Sequence, residues 1–127
     1  MHKLPLAAAD VLLLLADIAC QRQEHFVVLT FDGANKLINK RVVFIGTVNT
    51  TLVHPREVFA CAVEDRATSI IVAHNHPSGN TSPCEDIKTT RWLTGAGKIM
   101  CIALTDHIIV SDKGYFSFAA NQFLAGL

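Results

Sequence analysis

Apolar and polar positions follow different periods along the chain, and each change of period marks an element. LPLAAADVLLLLADIA (4–19) is apolar on most faces, and residues 5 to about 20 are predicted to form a first helix. EHFVVLTFD (24–32) is rich in β-branched and aromatic residues and reads as a strand. DGAN (32–35) is a turn signal between apolar runs, and KLINKRVVFIG (36–46) resumes the strand pattern, so 24–46 forms a hairpin. TVNTTLVHP (47–55) is a polar loop. In REVFACAVEDR (56–66), Val58, Phe59, Ala62 and Val63 fall at helical spacing. TSIIVAHNH (68–76) is a continuous apolar run of strand length, as expected of a strand covered on both faces.

PSGNTS (77–82) is a loop. Ser82 as N-cap, Pro83 at the first helical position and Glu85 closing a capping box predict a helix from there to about Gly95. GKIMCIALTDHIIVSDKGYFSFA (97–119) predicts two or three further strands with a turn at Asp112–Gly114. The order is α, ββ, α, β, α, β, β. It predicts an α/β fold, a three-layer-like sandwich with a mixed β-sheet flanked by helices, and not a Rossmann repeat. No repeat, linker or low-complexity tract divides the 127 residues, so 1–127 is expected to be a single domain.

Half of the residues are apolar, ample for a core at this length. Lys+Arg and Asp+Glu number 11 each, so the excess of positive charge that marks many nucleic-acid binders is absent, although a neutral total can hide a local patch. Cys20, Cys61, Cys84 and Cys101 are widely spread with no CxxC pair, which fits reduced thiols and a cytoplasmic setting better than a disulfide scaffold. No apolar run reaches the length of a membrane span. The N-terminal run is interrupted by Asp10 and Asp17, with only His2 and Lys3 ahead of it, and reads as a helix of the mature fold and not as a signal peptide.

The chemistry gathers at IVAHNHPSGN (71–80). Side chains at i and i+2 of an extended chain share a face, so His74 and His76 present two imidazoles at a strand end. Glu85 and Asp86 lie in the first turn of the helix that follows, where a carboxylate can lean back toward them. Two imidazoles and one carboxylate leave the fourth tetrahedral position of a zinc ion open to water, the pattern of catalytic sites. Zinc brings the pKa of that water toward neutrality and polarises a carbonyl. A carboxylate that is not a ligand must then move protons, and Glu24, opening the first strand, can supply it.

An HxH alone is a weak signal, because hydrogen-bonded turns also carry histidines. Glu57 in HPRE is a second acid/base candidate that fits better as a charge in the first turn of helix 56–66. His54 belongs to the entry loop of that helix. Asp106 and His107 in TDHII are candidates to orient a ligand histidine, against a plain structural role at a strand. His25 faces away from Glu24, and Trp92 and the phenylalanines are expected in the core. The contiguous HNH tripeptide lacks the spread ββα arrangement of HNH nucleases. The deaminase pattern needs HxE and PCxxC, and SPCEDI holds no second cysteine.

HNHPSGN with PCEDIKTTR and TDHIIVSDKGYFSF closely resembles the RadC family, a bacterial branch of the JAMM (MPN-plus) metallopeptidase fold. GTVNTTLVHPREVF (46–59) matches the block that precedes these in the family, and EHFVVLTFD its first strand, so the resemblance covers nearly all of 18–125. It implies Zn2+ held by His74, His76 and Asp86, Glu24 as acid/base, and hydrolysis of a peptide or isopeptide bond in a peptide or protein substrate. One departure stands out. The family places a serine in the first helical turn with the metal aspartate three residues on, whereas here Cys84 takes the serine position and Asp86 follows it by two. Glu85 and Cys84 are therefore alternative third ligands. Ser78 or Ser82 is left to take the serine's part in binding the oxyanion, and a weakened or inactive enzyme is a second reading. That reading is an interaction module, linked to DNA repair by the family label. The family's longer members carry a helix-hairpin-helix segment ahead of this domain, and this chain is expected to start too late to contain one.

Overall fold

The computed structural model describes residues 8–46, 53–83 and 86–124. The elements, in chain order, are α1 (Ala8–Leu14), α2 (Ala16–Ala19), β1 (Glu24–Phe31), β2 (Leu37–Gly46), α3 (Pro55–Glu64), β3 (Ser69–Asn75), α4 (Ile87–Met100), β4 (Ala103–Ser111) and β5 (Gly114–Ser117). The sheet is mixed, in the order β2-β1-β3-β4-β5, and only β3 and β4 run parallel. The expected α/β sandwich is found, with helices on both faces.

The two faces of the sheet bury different residues because strand side chains alternate. Phe26 and Val28 of β1 and Ile70 and Val72 of β3 pack beneath α3 and α4 with Val58, Phe59, Ala62 and Leu93. Val27, Leu29 and Phe31 pack with Ala73, Ile108 and Val110 on the other face, under α1 and α2. Those short helices and the break between them contribute Val11, Leu15 and Ile18, at spacings of four and three that keep one side inward. Fully burying an aliphatic side chain such as Leu15 or Ile18 stabilises by about 1.5–3 kcal/mol.

Three expectations about helix boundaries change. The first helix is broken at Leu15, where Leu15 N–H bonds Leu12 O and Ile18 N–H bonds Leu15 O, the tighter i−3 pattern; residues 5–7 lie outside the described chain. The regular part of α4 begins at Ile87, with Asp86 in the N-cap position in place of Ser82. The peptide carbonyl of Pro83 accepts from both Asp86 and Ile87, so the chain already turns there. Finally, α4 runs through Gly95 and Gly97 to Met100, across residues expected to open a strand. It stops because Cys101 takes a left-handed conformation (φ 59°), which lets Ile102 N–H return to Gly97 O at 3.0 Å. A Cβ on Gly97 would collide with Ile102 O, so this close approach needs glycine.

α4 turns Thr89, Thr90, Leu93 and Gly97 to the sheet, which leaves Trp92 on the outside, 49% exposed and edge-on to His54. Bulk alone suggested Trp92 for the core; the phase of the helix decides otherwise.

Candidate metal centre

β1 and β3 are antiparallel, with Phe26 opposite His74. The start of β1 and the end of β3 therefore meet at one end of the sheet. His74 points to the α4 side, almost wholly buried, with its ring stacked on Phe26 at 5.7 Å between centroids. His76 lies just past the strand, and its backbone N–H bonds Val110 O of β4 at 2.9 Å. The loop then returns to deliver Asp86 at the mouth of α4.

The donor atoms converge. His74 Nε2 and His76 Nε2 are 3.0 Å apart, Asp86 Oδ1 is 3.2 Å from His74 Nε2, and Asp86 Oδ2 is 3.3 Å from His76 Nε2. A tetrahedral ion with bonds of about 2.0–2.1 Å holds neighbouring donors about 3.4 Å apart. These three groups can hold a metal ion, and they form such a cluster among the described residues. Asp86 Oδ2 is buried and accepts no hydrogen bond, a cost that a cation would remove. Asp86 also forgoes the usual task of an N-cap aspartate, since its carboxylate caps no backbone N–H of α4 and faces the histidines instead.

The electrostatics follow from this packing. Burial works to raise the pKa of Asp86, but close contact with the His74 and His76 rings outweighs it and holds the carboxyl well below the usual range. The same contact with Asp86 raises His76, against partial burial; the Asn80 carbonyl and the charges of Asp86 and Glu24 add to it. Complete burial keeps His107 far below its ordinary value, and hence neutral.

Glu24 opens β1, half-buried, two residues before Phe26 and so on the same face of the strand as Phe26 and His74. Its charge acts on His76. His107 Nε2 lies 3.0 Å from His74 Nδ1, so this residue does touch a candidate ligand. Asp106 does not. It accepts from Ser117 Oγ, the Ala119 N–H and the His107 N–H, and so fastens the chain after β5. Glu57 is exposed in the first turn of α3, and His25 Nδ1 is engaged with Gln23 O. Ser78 and Ser82 are exposed in the loop, where Ser78 Oγ accepts from Asn80 N–H. Cys84 and Glu85 lie outside the described residues. Cys20, Cys61 and Cys101 are free thiols.

Two residues that the sequence did not single out also shape the site. Asn75 lies between the histidines but points to the other face, where its amide binds the backbone of residues 21–25. Thr90, in the first turn of α4, bonds both Asp86 O and the ring of His107. In the sequence each is one polar residue within an element and carries no pattern of its own.

A profile of the RadC-like JAB domain matches residues 6–123. The chain belongs to that family. Among its relatives, a UPF0758 protein of Methanospirillum hungatei is 53% identical over 111 residues, which are 87% of this chain and 49% of the relative. The UPF0758 protein YsxA of Bacillus subtilis is 44% identical over 113 residues, 88% of this chain and 49% of the relative. A UPF0758 protein of Pelobacter propionicus is 49% identical over 104 residues, 81% of this chain and 45% of the relative. This RadC-like JAB domain therefore spans about half the length of the curated relatives it matches. Their names state neither reaction nor substrate. No helix among the described residues is long and apolar enough to cross a membrane.

Proposed function

We propose that this RadC-like JAB domain is a zinc-dependent hydrolase that cleaves a peptide or isopeptide bond in a peptide or protein substrate. One observation carries the reading: His74 Nε2, His76 Nε2 and the Asp86 carboxylate converge to 3.0–3.3 Å, with Glu24 on the same face of the sheet. His74, His76 and Asp86 would hold the ion, at three protein donors, the number found in catalytic and not structural sites. Bound zinc would bring a water's pKa toward neutrality and polarise the carbonyl to be attacked. Glu24 is the base in this reading. It takes the proton released on attack and returns it to the leaving amine, a task for a carboxylate within hydrogen-bond reach that is not itself a ligand. Phe26 stacks on His74 and fixes the ring plane while excluding water from one side. Free thiols at Cys20, Cys61 and Cys101 support a cytoplasmic setting.

A second reading is an interaction module without activity, tied to DNA repair by family. Cys84 in place of the serine and the shortened connection to Asp86 favour it. The balance of 11 basic and 11 acidic residues speaks against DNA as the partner.

The test is metal content after purification without added metal. The enzyme reading expects near-stoichiometric zinc that is lost in His76→Ala and Asp86→Asn but kept in Glu24→Gln, together with a chelator-sensitive peptidase activity absent from Glu24→Gln. Wild-type protein that holds no zinc even after reconstitution would remove the proposal and leave the module.

A further inference from the structure

We infer that Thr90 and His107 are positioning residues that fix which nitrogen of His74 carries its proton, through a ring of hydrogen bonds that starts and ends on the ligand set. The inference rests on the metal-site reading above and adds to it two residues that hold no metal.

The direction of the ring follows from what each atom can do. Thr90 Oγ1 lies 2.8 Å from Asp86 O and 2.5 Å from His107 Nδ1. The hydroxyl of Thr90 donates its one proton to Asp86 O, the carbonyl one turn back in the helix. The lone pairs of that hydroxyl then face His107, and His107 Nδ1–H must donate. A neutral imidazole protonated at Nδ1 is bare at Nε2. His107 Nε2 lies 3.0 Å from His74 Nδ1, so His74 donates from Nδ1 and its own Nε2 is bare. That nitrogen is the one turned to His76 and Asp86.

His76 reaches the same state by a separate route. Its Nδ1 lies 2.6 Å from Asn80 O, again a pure acceptor, which places the proton on Nδ1 and leaves Nε2 for the ion. With an ion bound, both rings would turn a bare Nε2 toward it, from positions 3.0 Å apart. Were the Thr90 hydroxyl turned to His107, every donor in the chain would reverse. The proton of His74 would then sit on Nε2, in the ion's place. Thr90 is buried, and its own N–H also bonds Asp86 O at 2.9 Å, so the helix that presents the third ligand also sets the tautomer of the first.

The deciding experiment combines long-range 1H–15N NMR of the histidine rings with zinc affinity measured by chelator competition. In the wild-type protein, with and without zinc, His107 is expected to carry its proton on Nδ1; a proton on Nε2 overturns the inference in either state. Thr90→Val keeps the shape and removes the hydroxyl. It is expected to weaken zinc binding about ten- to a hundredfold, as loss of a ligand's hydrogen-bond partner does, while Thr90→Ser stays within threefold of wild type. A folded Thr90→Val protein with wild-type zinc affinity overturns the inference. If the wild type binds no zinc, the metal-site reading fails by that result, and the position of the His107 proton in the metal-free protein still decides the ring.

Discussion

The side-chain oxygen of Asn75 accepts the backbone N–H of His25 at 2.6 Å, across the junction where β3 ends and β1 begins. Its amide nitrogen donates to Gln21 O at 3.1 Å and Gln23 O at 3.0 Å. The residue between the two candidate ligands is thus committed to holding the segment that carries Glu24. Asn75→Ala leaves three backbone groups without their partner; Gln21 and Gln23 are exposed and their carbonyls can turn to water, so the expected cost is about 1–3 kcal/mol, that of the part-buried His25 N–H. Because the amide faces away from the candidate ligand atoms, zinc affinity should change less than threefold. Thermal unfolding and a zinc titration of the same variant check both parts; a large loss of zinc affinity with stability intact would contradict this division of labour.

Zinc affinity is expected to fall as the pH is lowered. Contact with Asp86 raises the pKa of His76 above the ordinary 6.5, and a metal can bind only the unprotonated ring. Below that raised value each unit of pH costs about tenfold in apparent affinity for one displaced proton. The metal-free protein behaves in the opposite sense. The His76–Asp86 attraction stabilises the fold fully below pH 6.5 and is lost as the pH rises through the raised folded value. The gain in Tm on adding zinc should therefore grow from pH 6 to pH 8. An increment independent of pH would count against His76 as a ligand.

A second pair reports on acid stability. Arg41 Nε lies 3.1 Å from Asp65 Oδ2, and Thr30 Oγ1 donates to the same oxygen at 2.7 Å. Arg41 holds the Asp65 carboxyl below its usual value of 3.8, against the opposing effect of burial. The folded pKa is depressed, so this stability is present above about pH 4 and lost as the pH falls through the lower folded value. Asp65→Asn is expected to lose about 1.5–3 kcal/mol at pH 7, the range for hydrogen bonds to a charged group. The two proteins should converge in denaturant midpoint as the pH falls through that lower folded value, and a gap that persists in strong acid would rule out the carboxylate as its source.

Gly97→Ala is expected to destabilise by about 1–3 kcal/mol, despite the better helix propensity of alanine, because the new methyl meets a backbone oxygen that cannot move aside cheaply. Gly95→Ala meets nothing within 4 Å and should be neutral or stabilising. Paired melts of the two variants separate packing from propensity.

The histidines were legible because the period of a strand is two, and a strand that ends in HNH must put both rings on one side. The carboxylate was legible as a choice between neighbours, and the geometry brings Asp86 to the rings. The start of α4 was misread for a physical reason. Ser82, Pro83 and Glu85 spell a good cap, yet the residue in the N-cap position is Asp86, which gives its carboxylate to the site. The far end was misread because two glycines look like a stop, whereas one of them permits the close turn that follows the helix. Thr90, Asn75 and the ring of His107 act through contacts between residues distant in sequence. Local spacing holds no trace of such contacts.

The antiparallel pairing of β1 with its neighbours gives the sheet two unequal ends. Glu24, His74, His76 and Asp86 gather at one, while the Asp32–Lys36 turn, stitched by Asp32 to Ala34 and Lys36, lies at the other. Cargo inserted between Gly33 and Ala34, such as a fluorophore-binding peptide or a surface tether, would ride on the blunt side of the molecule and leave the side with the candidate metal ligands facing solution. The same cargo placed in the turn after β4 would stand beside the loop that carries His76, where Ser111 Oγ donates to Gly79 O. For anyone building a sensor or an immobilised form of this domain, the hairpin tip is the handle and the opposite rim must stay clear.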